Sequence, residues 1–395
     1  MAWPVGRAAA AAIFGLAAAA FAFGACETTE KLGAPGPVPG NQGGGGGDLL
    51  GGTAGSGPPP LDAGGLCGNQ IHEIISDAPN VYFVIDASGS MSFPVADGST
   101  VTRYQRVRKA AIELVTTLGP LINVGAAVFP HDADENQQCA VGAQVMVVAP
   151  GDVDPNGDTT KAFKIKTNVE PFGGTPTAAT LEKLRPGLVA LPGRTFVLLV
   201  TDGGPNCNAD ADCGPDGCQY NIEGCTGDPC CDPGGNCCAP GQPAGPESCL
   251  DADATLAAVK TYADSGLPLY VIGIPGSEVY ENLLAQMAIT AGTSQFAKPF
   301  YYAVDDLDNL HAVLAQIAAV AISCIFEVAS PPSVPDQTNV YLDGVVLPAD
   351  LENGWRWMDP DLTRIELLGE ACAGLKAGKV KSVQIVSGCP TEPPK

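Results

Sequence analysis

The apolar positions along the chain fall into two alternating spacings. Val81 to Ile85 (VYFVI) are consecutive apolar residues, the pattern of a strand buried on both faces, and they stop abruptly at Asp86. RYQRVRKAAIELVTTL, residues 103–118, follows with Val107, Ala111, Leu114 and Leu118 at helical spacing. NVGAAVF (123–129) and QVMVV (144–148) predict strands, and TAATLEKLRPGLVAL (177–191) predicts a helix interrupted near Pro186. RTFVLLVT (194–201) and PLYVIGI (268–274) predict two more buried strands, the second flanked by helical patterns at 252–264 and 278–290. Residues 305–322 repeat Leu307, Leu310, Leu314, Ile317 and Ala321, with three aspartates at the end where a helix dipole favours them. This alternation predicts an α/β fold with a doubly wound, mostly parallel sheet covered by helices on both faces.

Three stretches break the rhythm. Residues 31–66 hold 14 Gly and 6 Pro in 36 positions, too little apolar surface to fold, and read as a tether of roughly 30–35 Å root-mean-square span. Residues 203–250 carry nine cysteines, seven acids and no Lys or Arg. No C-x-x-C occurs there, so a disulfide-rich insertion is expected rather than a zinc site. From 325 to 395 the short strand patterns IFEV, NVYLDGVVL, RIELLGEAC and VKSVQIVSGC predict a small C-terminal β module with its own disulfide.

Charge and cysteine usage narrow the setting. The 395 residues have a net charge of −23, which disfavours nucleic acid and anionic lipid surfaces and favours divalent cations and basic partners. The three histidines, His72, His131 and His311, are far apart in sequence and offer no His-based dyad. One positive residue, Arg7, precedes the apolar segment 8–23, which is too short for a comfortable membrane span and fits a signal peptide over residues 1–25. Its end, Phe23-Gly24-Ala25-Cys26, is similar to the lipobox of bacterial lipoproteins, with Phe23 where Leu is usual. Ordinary cleavage after Ala22 is the alternative. Lipidating Cys26 would leave an even number of the 15 cysteines to pair, which favours the lipoprotein. Residues 26–66 would then be the tether, and the membrane would be reached only through the lipid, at the outer membrane or cell surface.

The chemistry lies where strands end. Asp86, Ser88 and Ser90 follow the first buried strand, Thr175 follows two glycines in FGGTPT, and Asp202 ends LLVTDGG. In an open α/β sheet these loops share one edge, where ligands bind. Carboxylates and hydroxyls are hard oxygen ligands that suit Mg²⁺ or Mn²⁺, with Ca²⁺ as a further choice. Each piece alone reads as an ordinary turn or helix cap, Thr175 before Pro176 included. DVDPNGD (152–158) has Asp152, Asp154, Asn156, Gly157 and Asp158 at calcium-loop offsets, but Phe163 stands where a bidentate glutamate belongs, so a solvated hairpin turn is expected.

Taken in order, these residues resemble the von Willebrand factor type A (VWA) family. Its metal-ion-dependent adhesion site is Asp-x-Ser-x-Ser, then Thr, then the Asp of a Thr-Asp-Gly loop, filled here by Asp86, Ser88, Ser90, Thr175 and Asp202. The resemblance covers roughly residues 78–323, apart from the insertion, and implies a VWA domain over 67–324. It implies serines and Thr175 at or near the metal, aspartates holding its waters, and an open position for a partner's carboxylate. The two ends of such a fold lie close together, which pairs Cys67 with Cys324. Cys372 with Cys389 would then staple the C-terminal module, and Cys139, after a strand ending on the metal face, would take the odd insertion cysteine.

The function implied is metal-dependent, non-enzymatic binding or adhesion at the cell envelope, with a protein ligand presenting Asp or Glu. A structural or assembly subunit of an envelope complex is the alternative. A hydrolase fits less well, since Ser88 lacks a G-x-S-x-G context and no motif places a histidine beside it, so no catalytic residue is assigned.

Overall fold

The structure is a computed structural model and describes residues 70–394, apart from residues 73, 76–77, 96–97, 226–230 and 233. The expected signal peptide, Cys26, the tether and Cys67 lie outside the described residues.

Two short strands, β1 (Gln70–His72) and β2 (Ile74–Ile75), precede the α/β unit and belong elsewhere. The central sheet comprises β3 (Asn80–Asp86), β4 (Asn123–Phe129), β5 (Ala143–Pro150), β6 (Thr195–Thr201), β7 (Leu269–Gly273) and β8 (Tyr302–Ala303). Their order is β5-β4-β3-β6-β7-β8, parallel throughout except for β5, which runs antiparallel at the edge. All seven residues of β3 and of β6 are buried, as continuous apolar runs in a parallel sheet require.

Helices cover both faces. On one, α1 (Arg103–Leu118), α2 (Asp158–Lys166) and α7 (Leu310–Ala321) pack on Phe83, Ile85, Leu198 and Val200. On the other, α3 (Thr177–Val189), α5 (Ala252–Asp264) and α6 (Glu281–Thr290) pack on Tyr82, Val84, Val197 and Leu199. The one-turn α4 (Gln219–Ile222) lies in the insertion. α1 starts where expected because Thr102 and Gln105 form a reciprocal capping box.

Four expectations need correction. Residues 152–158 are neither a calcium loop nor a hairpin: the Asp152 carboxylate accepts the Thr160 backbone N–H at 2.6 Å and caps α2. The last helix is shorter than 305–322. Its three aspartates precede it, with Asp306 accepting the Asp308 N–H in a turn and Asp308 paired to Arg106 of α1.

The third correction concerns the β module, which is not purely C-terminal. β9 (Ile325–Val328), β10 (Thr338–Leu342), β11 (Val345–Leu347), β12 (Trp355–Trp357), β13 (Arg364–Leu367) and β14 (Val383–Ser387) form two four-stranded sheets with β1 and β2. β1 lies antiparallel on β14 and β2 on β9, so the α/β unit is set into a sandwich made from the chain on either side of it. The β10–β11 hairpin turns at Asp343-Gly344, both at positive φ, the requirement of a two-residue hairpin loop. The stretch after β13, expected as strand, is instead helix α8 (Gly369–Lys376).

The fourth concerns the disulfides. Cys324 is bonded to Cys372 of α8, which overturns both Cys67–Cys324 and Cys372–Cys389. The end of α7 leads within three residues into β9, so Cys324 faces the sandwich helix. Cys389 is itself disulfide-bonded. No helix among the described residues is long and apolar enough to cross a membrane.

Candidate metal centre

The order of the sheet places a switch point between β3 and β6, because the chain leaves β3 toward β4 on one side and β6 toward β7 on the other. Asp86 ends β3, Thr201 ends β6, and Asp202 follows it directly. The parallel register aligns Ile85 with Val200, which sets Thr201 opposite Asp86. Thr201 Oγ1 donates to Asp86 Oδ2 at 2.5 Å, and the Ser88 N–H donates to Oδ1 at 2.8 Å. The Asx turn thus made aims both serines inward. Ser88 Oγ and Ser90 Oγ lie 3.1 Å apart, and Ser90 Oγ donates to Asp202 Oδ1 at 2.7 Å.

Thr175 arrives from the third loop. α3 begins at Thr177 without a side-chain cap, so the Thr175 hydroxyl is not spent on the helix. Gly203 lies between the hydroxyls: a Cβ there would sit 3.8 Å from Ser90 Oγ and 3.9 Å from Thr175 Oγ1. All five expected residues therefore meet in one place. Asp86 is 0% exposed and Asp202 1%, so both carboxylates are buried.

Burial explains the electrostatics. Asp86 is pushed up to about 7, first by desolvation and then by the neighbouring Asp202 charge, against the hydrogen bonds from Thr201 and Ser88. Asp202 is raised by burial and pulled back by Ser90 and Arg103. A divalent cation would offset both the desolvation and the Asp202 repulsion that raise Asp86. Two dry carboxylates with three hydroxyls beside them are a donor set that fits Mg²⁺ or Mn²⁺ and contains no soft ligand.

Three further residues shape the site: Thr201, which the Thr-Asp-Gly motif already contained, and Asn206 and Arg103, which carried no signal in the sequence. Thr201 holds Asp86. Asn206 holds the Thr175 loop twice, its Oδ1 accepting the Thr175 N–H at 2.6 Å and its own N–H donating to the Thr175 carbonyl at 2.9 Å. Arg103 donates from Nη1 to Asp202 Oδ2 at 2.7 Å. The contacts of Asn206 and Arg103 join residues remote in sequence, so no local motif marks those two.

The insertion forms the wall of the site. Cys139, in the loop after β4, is bonded to Cys207, the first insertion cysteine. This bond lies on the Thr175 loop so closely that a Cβ on Gly174 would stand 2.5 Å from Cys207 Sγ. Cys213–Cys249, Cys218–Cys238 and Cys231–Cys237 staple the rest, and Cys225 is also disulfide-bonded. Sulfur atoms of Cys218, Cys237 and Cys238 cluster within 4.8 Å, but as disulfides they are not metal ligands. Between wall and sheet edge lies a cleft of about 620 Å³, with Ser88, Ser90 and Thr175 on its floor and Glu135, Glu223 and Glu247 on its sides. No lysine or arginine lines it among the described residues. The histidines are elsewhere: His72 bonds Ser387 inside the sandwich, and His131 pairs with Asp132.

No protein-family model matches the chain, and no curated protein sequence does. Among solved structures, it is similar to the pilus adhesin SpaC from Lactobacillus rhamnosus GG in an open conformation, with 16% identity and a TM-score of 0.44 over 80% of this chain. The chain spans only 39% of the length of that adhesin. It is also similar to the vWF domain of the type V pili tip protein Mfa5 from Porphyromonas gingivalis, with 14% identity and a TM-score of 0.42, over 66% of this chain and 99% of that one. Manganese-loaded TRAP protein from Plasmodium vivax is similar at 16% identity and a TM-score of 0.39, over 75% of this chain and 96% of that one. These are likenesses of fold, and nothing about this chain's ligand is taken from them. By its own sheet order and site geometry, the α/β unit is a VWA-like domain.

Proposed function

We propose that this chain is a non-enzymatic binding module of the cell envelope that captures an acidic side chain of a protein partner through a divalent cation. Asp86, Ser88, Ser90, Thr175 and Asp202 hold the cation, Mg²⁺ or alternatively Mn²⁺ or Ca²⁺. When bound, the cation supplies an electrophilic position that a carboxylate can complete. The observation that carries this reading is the convergence of five oxygen-bearing residues from three loops, with the hydroxyls of Ser88, Ser90 and Thr175 on the floor of an open cleft and both carboxylates buried beside them. Thr201 and Asn206 keep the donors aimed before any ligand arrives. The acidic sides of the cleft favour a partner carboxylate set among basic side chains, since a wholly acidic segment would be repelled. In this reading a lipid on Cys26 and the tether over residues 26–66 carry the module off the bacterial membrane.

The test is thermal unfolding of the oxidised protein with and without Mg²⁺, Mn²⁺ and Ca²⁺, beside Asp86→Ala. A cation that binds only the folded state stabilises it by about 2.7 kcal/mol at a hundred times its dissociation constant. The wild type should gain that stability and Asp86→Ala should not. An equal rise in both proteins would remove this site from the account, and no rise in either would overturn loading of the wild-type site by metal alone.

A further inference from the structure

Arg103 opens α1, directly after its Thr102 cap. Its guanidinium is held on three sides. Nη1 donates to Asp202 Oδ2 at 2.7 Å, with the arginine side chain 21% exposed and the aspartate fully buried. Phe93 offers its ring face 5.7 Å from the guanidinium carbon. Gly276, at φ +114°, lies so close that a Cβ there would stand 2.5 Å from Nη1. This is a built position and not a loose surface charge. The two oxygens of Asp202 are thereby divided, Oδ1 toward Ser90 and Oδ2 toward Arg103.

Resting on the metal-binding reading above, we infer that Arg103 is a built-in counter-charge that weakens the site's hold on its cation and makes that hold depend on the partner's carboxylate. With both aspartates ionised, as holding a cation requires, two carboxylates against one guanidinium leave one unit of negative charge in a nearly dry site. A divalent cation turns this into one unit of positive charge, and a single partner carboxylate brings it to zero. Without Arg103 the cation alone neutralises the two aspartates, and an arriving carboxylate leaves the site negative. The bare site then keeps its metal more tightly and takes an acidic partner less readily. Charges this close in a poorly solvated site change affinities by factors of ten or more. Arg103 is thus a positioning and specificity residue that acts through Asp202.

The experiment is titration with Mn²⁺ alone, read by calorimetry and by the shift in melting temperature, on wild type, Arg103→Gln, Arg103→Lys and Asp86→Ala. Arg103→Gln should bind Mn²⁺ roughly ten- to a hundredfold more tightly than wild type. Arg103→Lys keeps the charge and should stay near the wild-type affinity, which separates charge from packing. Equal or weaker binding by Arg103→Gln, in a variant that still melts cooperatively, would overturn the counter-charge. Tight binding by Arg103→Gln beside none by wild type would uphold it and overturn the reading that the wild-type site loads without a partner. Mn²⁺ binding by none of the variants and not by wild type would overturn the metal reading, and the counter-charge with it.

Discussion

The floor and the wall of the cleft are built by different physics. The floor rests on β3 and β6, whose residues are buried without exception and whose two faces feed two large apolar clusters. The wall has a core made largely of sulfur: Cys218, Cys231, Cys238 and Cys249 are the buried apolar residues of its cluster, with Tyr220, Ala211 and Ala244 packed against them. Hydrophobic burial fixes the floor in any redox state, whereas the wall depends on cross-links that restrict its unfolded chain. The hydroxyls of the candidate metal centre lie on the floor, with its two carboxylates buried beside them. The wall contributes the shape and the charge of the approach. In the proposed reading, metal binding rests mainly on the floor and partner selection on the wall, and the two meet where Asn206 holds the Thr175 loop.

The largest effect should come from the floor. Phe83 is fully buried on β3 and meets Phe163 of α2 edge-on, with ring centroids 5.3 Å apart. Phe83→Ala should cost about 3–5 kcal/mol by the lost transfer and the cavity left behind. The measurement is denaturant unfolding of the oxidised variant, with disulfides mapped before and after. Loss of the metal response together with intact insertion disulfides is the expected pattern. A loss of stability under about 1 kcal/mol would mean that the sheet is not the dominant core.

An intermediate effect should come from the join between the regions. Cys139–Cys207 closes a span of 68 residues. Replacing both by serine should cost roughly 2–4 kcal/mol, because the unfolded chain regains that loop entropy. The wall should open to limited proteolysis between residues 208 and 248 while the central sheet stays protected. Unchanged protease resistance would show that the backbone bonds from Cys207 to Glu247 and from Asp251 to Pro205 hold the wall without the cross-link.

How much of this was legible in the sequence follows the same division. β4 and α1 could be read to the residue and β3 to within one residue at each end, because continuous apolar runs and helical spacing are local patterns. Of the five candidate metal residues, Asp86, Ser88, Ser90 and Asp202 were legible because they follow such runs, and Thr175, between α2 and α3, because it follows two glycines. What the sequence hid was partnership across distance. Arg103 looks like any first-turn helix residue, and its partner Asp202 is 99 residues away. β1 and β2 have three and two residues, too short to show a period, and their partners β14 and β9 come after the whole α/β unit. Cysteine parity said that bonds exist, but only the fold could set Cys324 against Cys372. Periodicity reports which face a residue occupies and not what lies opposite it.

The smallest effect should come from the sides of the cleft, and it sharpens the comparison most. Glu135 stands on the loop after β4 and Glu247 on the wall, both exposed at the cleft. Neither touches the hydroxyl cluster through any described hydrogen bond, so neither is a ligand, and their influence is the field they add. Exposed charges act through water and are screened within about 8–10 Å at ordinary ionic strength. Glu135→Gln with Glu247→Gln should therefore weaken Mn²⁺ binding by roughly threefold or less at low salt, and by nothing measurable at 1 M. Arg103→Gln should instead keep most of its effect at high salt, because Asp202 is buried and its pairing is poorly screened. Measuring both variants across ionic strength divides the charges that steer a ligand from the charge that sets the site. If the glutamine pair and Arg103→Gln lost their effects in parallel as salt rose, floor and wall would share one solvated field, and the division between them would fail.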